Sequence, residues 1–163
     1  MLETSLAQSD HGKRNNQEDI QEKIQVCVFE LAGRLFGLSI LAVQEIMEDA
    51  EITPVPTTPH FLLGVINLRG DIVPVVDIRE VLNLPIKPRS KETRIMILTI
   101  RKALVGIIVD AVTEVLPLEK RIVEADLTQT GIADGKFISN IIQYKEGVLV
   151  LLDLNNIYQA IQL

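Results

Sequence analysis

The stretch FLLGVINLRGDIVPVVDIREVL, at residues 61–82, contains two apolar runs separated by Arg69-Gly70. Two such runs joined by two residues that include glycine are typical of a β-hairpin, because glycine readily adopts the positive φ of a tight turn. A second stretch, FISNIIQYKEGVLVLLDLNNIY at residues 137–158, aligns with the first without a gap and is predicted to turn at Glu146-Gly147. The sequence therefore predicts the same hairpin twice.

The segment upstream of each hairpin is repeated as well. Residues 25–46 align without a gap on residues 94–115, and 12 of the 22 pairs are apolar on both sides. Composition alone predicts roughly five such pairs, taking the square of the hydrophobic fraction. The two hairpin stretches also share 12 apolar pairs. We interpret the chain as an internal duplication, with half one at about 24–88 and half two at about 92–163.

Each half is predicted to contain about five short strands and little helix. Valine and isoleucine supply 37 of the 163 residues, which favours strands. The first strand, at about 24–31, is expected to be half-buried, because Val26 and Val28 alternate with Gln25 and Cys27. Proline-containing stretches follow the second strand of each half and are expected to be connectors. The predicted fold is mainly β, as two small closed barrels.

Both hairpins end at an aspartate, Asp77 or Asp153. Because each half needs its own helix cap, we interpret both carboxylates as N-caps rather than as a general acid–base pair. His11, His60 and Cys27 are too few and too far apart in sequence for a metal site, and Cys27 is expected to be a buried, unreactive thiol. No glycine-rich phosphate loop occurs. The sequence predicts no catalysis, no metal and no cofactor.

Charge and hydropathy restrict the partners. The formal net charge is −6, from 22 acidic and 16 basic residues, which is a poor match for a nucleic-acid backbone. No apolar run is long enough to insert into a membrane. The polar residues 1–22 do not resemble a signal peptide and are interpreted as a flexible tail that precedes a folded domain at 23–163. A cytoplasmic protein is predicted.

Positions that differ between the halves are candidates for function, because shared positions are explained by the common fold. At the hairpin, half one has Gly64, Asn67, Arg69 and Gly70 where half two has Asn140, Gln143, Lys145 and Glu146. An arginine at a hairpin tip can bind a partner's carboxylate, and a solvated turn arginine is the alternative. We predict an ion pair between Arg69 and Glu45 that orients a binding surface and adds little stability.

The stretch from Gly64 to Gly70, followed by Ile72-Val73-Pro74-Val75-Val76-Asp77-Ile78-Arg79, resembles the hallmark of the CheW-like domain family. Val43-Gln44-Glu45-Ile46 upstream and residues 105–112 downstream occur in the order that the family shows. The resemblance covers about residues 24–160. It implies two intertwined five-stranded SH3-like β-barrels with short helices, in which the halves can exchange strands.

The resemblance also implies a role. The chain is similar to the family's standalone adaptors, which couple the cytoplasmic tips of methyl-accepting chemoreceptors to the regulatory domain of a histidine kinase in membrane-associated arrays. By motif match, Val43, Glu45, Gly64 and Arg69 correspond to coupling positions. The receptor tip is expected in a groove between the barrels, and the kinase domain at a barrel end. The alternatives are the same role in twitching motility or phototaxis, or a small-molecule sensor.

Overall fold

Ten strands form two five-stranded sheets in the computed structural model, which describes residues 23–48, 50–119, 132 and 134–162. The strands are β1 (Lys23–Leu31), β2 (Arg34–Ser39), β3 (Val43–Met47), β4 (Leu62–Leu68), β5 (Asp71–Val76), β6 (Arg94–Ile100), β7 (Ala103–Val109), β8 (Ala111–Glu119), β9 (Ile138–Tyr144) and β10 (Gly147–Leu152). Short helices follow β5 and β10, namely α1 (Ile78–Leu82) and α2 (Leu154–Ala160). The predicted mainly β fold is confirmed, and the predicted tail at 1–22 lies outside the described residues.

Each sheet contains strands from both halves. The order is β8-β1-β2-β10-β9 in sheet A and β3-β6-β7-β5-β4 in sheet B. Replacing every strand by its counterpart in the other half converts one order into the other, as expected for a duplicated chain. The first two strands of each half therefore lie in a sheet with the last three strands of the other half. The intertwined pair of SH3-like barrels that the resemblance implied is confirmed.

The barrels share a hydrophobic core. One cluster of buried residues lies within sheet A and includes Val26 and Val28. Cys27 and Phe29 belong instead to a larger cluster, the inter-barrel cluster, which also contains Met96 and Leu98 of sheet B and residues of both helices. The prediction of a half-buried first strand was wrong, because β1 is covered on one face by its own barrel and on the other by the second barrel. Burial of Cys27 raises the pKa of its thiol, as expected for an unreactive cysteine.

The residues after β2 turn into the other sheet. β2 ends at Ser39, whose side chain accepts a hydrogen bond from the backbone N–H of Leu41, and a 3-10 turn at Ile40–Ala42 leads into β3. In half two, β8 follows β7 after Asp110 alone. Pro117 was expected in a connector but lies in β8, at the edge of sheet A, where a proline does not interrupt a central ladder.

The two repeated aspartates are helix caps, as predicted. Asp77 Oδ1 accepts a hydrogen bond from the backbone N–H of Arg79 at 3.1 Å, and Asp153 Oδ1 accepts one from the backbone N–H of Asn156 at 3.0 Å. The second hairpin turns at Lys145 and Glu146, one residue before the predicted position. Lys145, with φ 53°, adopts there the left-handed conformation that glycine was expected to supply.

Candidate partner-binding site

The predicted partner-binding residues lie on the two end strands of sheet B and on the turn after β4. They are Val43 and Glu45 in β3, Gly64 and Asn67 in β4, and Arg69 and Gly70 in the turn between β4 and β5. β3 and β4 stand at opposite ends of the strand order. Contacts between them therefore mark the line along which the sheet curls and closes into a barrel.

An ion pair joins these end strands. Arg69 Nη2 lies 2.8 Å from Glu45 Oε2, so the predicted pair is confirmed. The hydrogen bond with Glu45 raises the pKa of the guanidinium. The Arg69 side chain is 75 % exposed, and a guanidinium has five N–H donors. The contact with Glu45 fixes the orientation of Arg69 and leaves most of its surface accessible. We call this pair the half-one clasp.

Asn67 and Gly70 shape the turn that carries Arg69. Gly70 donates its backbone N–H to Asn67 Oδ1 at 2.9 Å. Arg69 has a φ of 49° and Gly70 a φ of 94°, as in the two-residue turns that match the twist of a hairpin. Asn67 and Gly70 therefore fix the backbone conformation of the turn at Arg69.

The remaining two predicted residues, Gly64 and Val43, are covered by neighbouring parts of the chain rather than exposed. Gly64 is buried, with a φ of 151°, and a Cβ atom at this position would lie 2.2 Å from the carbonyl oxygen of Thr53. Thr53 and Val65 exchange two backbone hydrogen bonds, of 2.8 and 2.9 Å, beside it. Only a glycine lets the connector approach β4 so closely. Val43 is half-buried and packs against the inter-barrel cluster.

The second barrel has a counterpart, the half-two clasp of Glu114, Tyr144 and Lys145. Lys145 Nζ lies 3.7 Å from Glu114 Oε1, and the Tyr144 hydroxyl donates a hydrogen bond to the same carboxylate. That hydrogen bond raises the pKa of Tyr144, and the hydrogen bond with Tyr144 raises the pKa of Lys145. This clasp joins β8 to β9, the end strands of sheet A. The sequence prediction missed it, although Glu45 aligns with Glu114 and Arg69 with Lys145.

A cleft opens at the same place in each barrel, where parallel strands diverge. Cleft A, of about 740 Å³, lies between β2 and β10 and is bordered by the half-two clasp. Cleft B, of about 450 Å³, lies between β5 and β7 and is bordered by Tyr158 and Ile161 near the C-terminus. Ile72 in cleft B is 65 % exposed. Cleft B therefore offers an apolar surface next to the hairpin that carries Arg69.

Neither a metal-binding group nor a membrane-spanning helix occurs among the described residues. Within residues 23–48, 50–119, 132 and 134–162, no group of three histidine, cysteine or acidic side chains is close enough to bind a metal ion. In the same ranges, no helix has both the length and the apolar character required to cross a bilayer.

Comparisons with known proteins agree with this architecture. A family model described as the CheW-like domain matches residues 25–162. The chain is 31 % identical over 145 residues to the chemotaxis protein CheW of Thermotoga maritima, covering 88 % of this chain and 93 % of that protein. It is 31 % identical over 137 residues to CheW of Bacillus subtilis, covering 84 % and 88 % of the two chains.

A solved structure is also similar. The crystal structure of the scaffolding protein TtCheW from Thermoanaerobacter tengcongensis superposes with a TM-score of 0.73 and 37 % sequence identity. The match covers 80 % of this chain and 84 % of that one. The duplicated sequence, the exchanged strands and these similarities lead to one conclusion: the chain belongs to the CheW-like domain family.

Proposed function

We propose that the chain is a non-catalytic adaptor that couples chemoreceptors to a histidine kinase in a chemotaxis-type signalling array. The observation that carries the proposal is the half-one clasp, in which an exposed arginine is held by Glu45 at the tip of a fixed hairpin. Its residues occupy positions that the family resemblance assigns to coupling. The similarity to CheW proteins and to a scaffolding protein supports the same role.

An adaptor needs two surfaces held at a fixed distance and angle, and no covalent chemistry. Cleft B and the adjacent Arg69 are the proposed site for the kinase regulatory domain, which packs end to end against the barrel. Ile72 supplies the apolar centre of that contact, and Arg69 at its rim pairs with a carboxylate of the kinase. The structure supports this assignment by placing both residues on the same hairpin.

The receptor tip, a helical hairpin, is proposed to bind in the groove between the barrels, near the 3-10 turn that precedes β3. Leu41 in that turn is 90 % exposed, and Ile46 in β3 is 39 % exposed. An apolar face of a helix can cover side chains of this kind. The adaptor is expected in the cytoplasm, where its partners recruit it to the receptor arrays.

The same adaptor role in twitching motility or phototaxis uses the same surfaces and differs only in the receptor recovered. A small-molecule sensor is a further candidate, because the volume of cleft A lies within the range of ligand pockets, roughly 300–1,000 Å³. Cleft A is lined by the hairpin turn of half two and by apolar side chains such as Leu35 and Val150, and the half-one clasp lies in the other barrel. The adaptor role therefore accounts for more of the structure.

The test is a pull-down from a lysate of the source organism, with proteins identified by mass spectrometry. Wild-type protein, Arg69→Glu and the matched control Lys145→Glu serve as baits, since both substitutions place a like charge beside the glutamate of a clasp. We expect wild type and Lys145→Glu to recover a chemoreceptor and a histidine kinase, and Arg69→Glu to lose the kinase. Recovery of neither partner by wild type would contradict the proposal.

A further inference from the structure

A buried ion cluster, outside the candidate partner-binding site, is centred on Arg79 in α1. Arg79 is 5 % exposed and Asp77 is 3 % exposed. Nε and Nη2 of Arg79 donate to the two carboxylate oxygens of Asp77, at 2.9 and 3.0 Å. Nη1 donates to Oδ1 of Asp110 at 2.9 Å and to the carbonyl oxygen of Lys87 at 3.0 Å. One guanidinium is thus bound from three directions.

The cluster around Arg79 is connected to both barrels through Asp110. Asp110 lies at the corner where β7 of sheet B passes into β8 of sheet A. Its Oδ2 accepts a hydrogen bond from the backbone N–H of Ala32 at 2.7 Å, and its own N–H donates to the carbonyl oxygen of Glu30 at 2.9 Å. Lys87 belongs to the connector between the halves. The cluster therefore joins helix α1, the corner, the β1–β2 hairpin and the connector.

The duplication does not repeat this cluster. The counterpart of Arg79 is Asn155, which is exposed and accepts a hydrogen bond from Arg101 at 3.3 Å. The counterpart of Asp110 is Leu41, which is 90 % exposed. Among the described residues, Asp77 and Arg79 are the only charged side chains that are fully buried. Among the described residues, the buried ion network therefore occurs at one of the two equivalent places where the barrels meet and is not repeated at the other.

Such a network differs in kind from the inter-barrel cluster. Hydrophobic burial is non-directional, so apolar side chains discriminate less sharply than directional contacts between similar angles of the two barrels. Charge-assisted hydrogen bonds to a planar guanidinium are directional, and any rotation that lengthens them leaves buried charges without partners. The network is therefore suited to select one angle among those that the apolar contact allows.

We propose that Arg79 is a positioning residue that locks the angle between the two barrels, so that the kinase surface at Arg69 and the receptor surface at Leu41 keep one relative geometry. This inference rests on the proposed function. Weakening the contacts of Arg79 reduces the control that the receptor exerts on kinase activity. It leaves the affinity for each partner unchanged, because neither surface contains a member of the cluster.

The lock is tested first without any partner. Spin labels at Lys102 and Glu146, in exposed turns of sheets B and A, report the distance between the barrels by double electron–electron resonance. A second pair at Lys102 and the exposed Glu48, which follows β3 at the other end of β6, reports a distance within sheet B. Arg79→Lys keeps the charge but loses the planar fork. We expect it to broaden the distance distribution between the barrels and to leave the distribution within sheet B unchanged.

Two further variants keep the test decisive. Asn155→Ala changes the counterpart position in half two and is expected to give the wild-type distribution. If Arg79→Lys does not fold, Asp110→Asn takes its place, since an amide cannot accept from both Arg79 and the Ala32 N–H as the carboxylate does. A distribution between the barrels that is unchanged in the folded variant would overturn the proposal.

The second readout uses the receptor and kinase recovered by wild-type protein. For Arg79→Lys we expect dissociation constants for each partner like those of wild type, and a loss of receptor control over kinase autophosphorylation of about fivefold or more. Full control in a variant whose distance distribution is broadened would overturn the role of the lock. Wild type that recovers no partner would contradict the proposed function, while the spin-label distances still decide whether the lock exists.

Discussion

The two clasps close equivalent barrels with different chemistry. In half one, a guanidinium contacts Glu45 from a turn that contains Gly70 and is capped by Asn67. In half two, an ammonium and a tyrosine hydroxyl contact Glu114. Both clasps join the end strands of their sheet, so barrel closure explains the glutamate and the cation in each half. Closure does not require the arginine, because lysine serves the same purpose.

Under the proposed function, this difference explains why half one binds a partner at its clasp and half two does not. A lysine is a point charge, whereas the planar fork of an arginine can bind a second carboxylate in a defined orientation. Arg69 is also on the hairpin that carries the exposed Ile72 of cleft B, whereas Val148, the counterpart of Ile72, is half-buried. Half one therefore has an arginine and a largely exposed isoleucine where half two has a lysine and a half-buried valine.

The largest expected effect is at Gly64, which differs from its counterpart Asn140. In Gly64→Ala, the new Cβ would meet the Thr53 carbonyl at 2.2 Å, so the connector must leave β4 and break its two backbone hydrogen bonds. Together with the strained φ, we expect a loss of about 3 kcal/mol in the free energy of unfolding, measured by urea denaturation. Asn140→Ala is the control. Equal effects of the two variants would show that closure does not depend on this close approach.

The next largest loss in the free energy of unfolding is expected at Gly37, which aligns with Gly106 in the other half. A Cβ at Gly37 would lie 2.6 Å from Val26 Cγ1 and 2.9 Å from Leu151 Cδ2, whereas the closest contact at Gly106 is 3.3 Å. Gly37→Ala is therefore expected to cost about 2 kcal/mol in unfolding free energy, and Gly106→Ala under about 1 kcal/mol. Thermal and urea unfolding of both variants measure this, and the reverse order would contradict the packing described here.

The smallest effect concerns the turns between the first two strands of each half. Lys102 has a φ of 68° and its counterpart Gly33 a φ of 77°. A lysine in the left-handed region is strained where a glycine is not. Relief of this strain outweighs the freedom that glycine adds to the unfolded chain, so Lys102→Gly is expected to stabilise the fold by about 0.5 kcal/mol. Gly33→Ala, the matched control, is expected to destabilise it. A destabilised Lys102→Gly would mean that the lysine side chain makes a contact that outweighs the strain.

The sequence allowed the duplication, the hairpins, the helix caps and the Glu45–Arg69 pair to be predicted, because each depends on local pattern or on alignment between the halves. Cys27 was expected to be buried, but the burial of Phe29 beneath the second barrel could not be read from a period-two pattern. The sequence also does not identify β3, because Ile40 to Met47 has apolar spacing compatible with a helix and only pairing with β6 makes it a strand.

The Arg79 cluster was not predictable from spacing. Arg79 and Asp110 are 31 residues apart in the chain and meet only because the strands are exchanged between the barrels. From sequence alone, Arg79 is an ordinary polar residue in the first turn of a helix. Contacts between charged residues this far apart in the chain can be predicted only when the strand order is known.

Under the proposed function, the half-one clasp orients a partner surface, whereas the half-two clasp only closes its barrel. Two double-mutant cycles test it, with the affinity for the recovered kinase as the readout: Glu45→Gln with Arg69→Gln, and Glu114→Gln with Lys145→Gln. We expect the first cycle to be non-additive by about fivefold in dissociation constant and the second to leave affinity unchanged. Additive effects at Glu45 and Arg69, or equal losses in both cycles, would contradict the account.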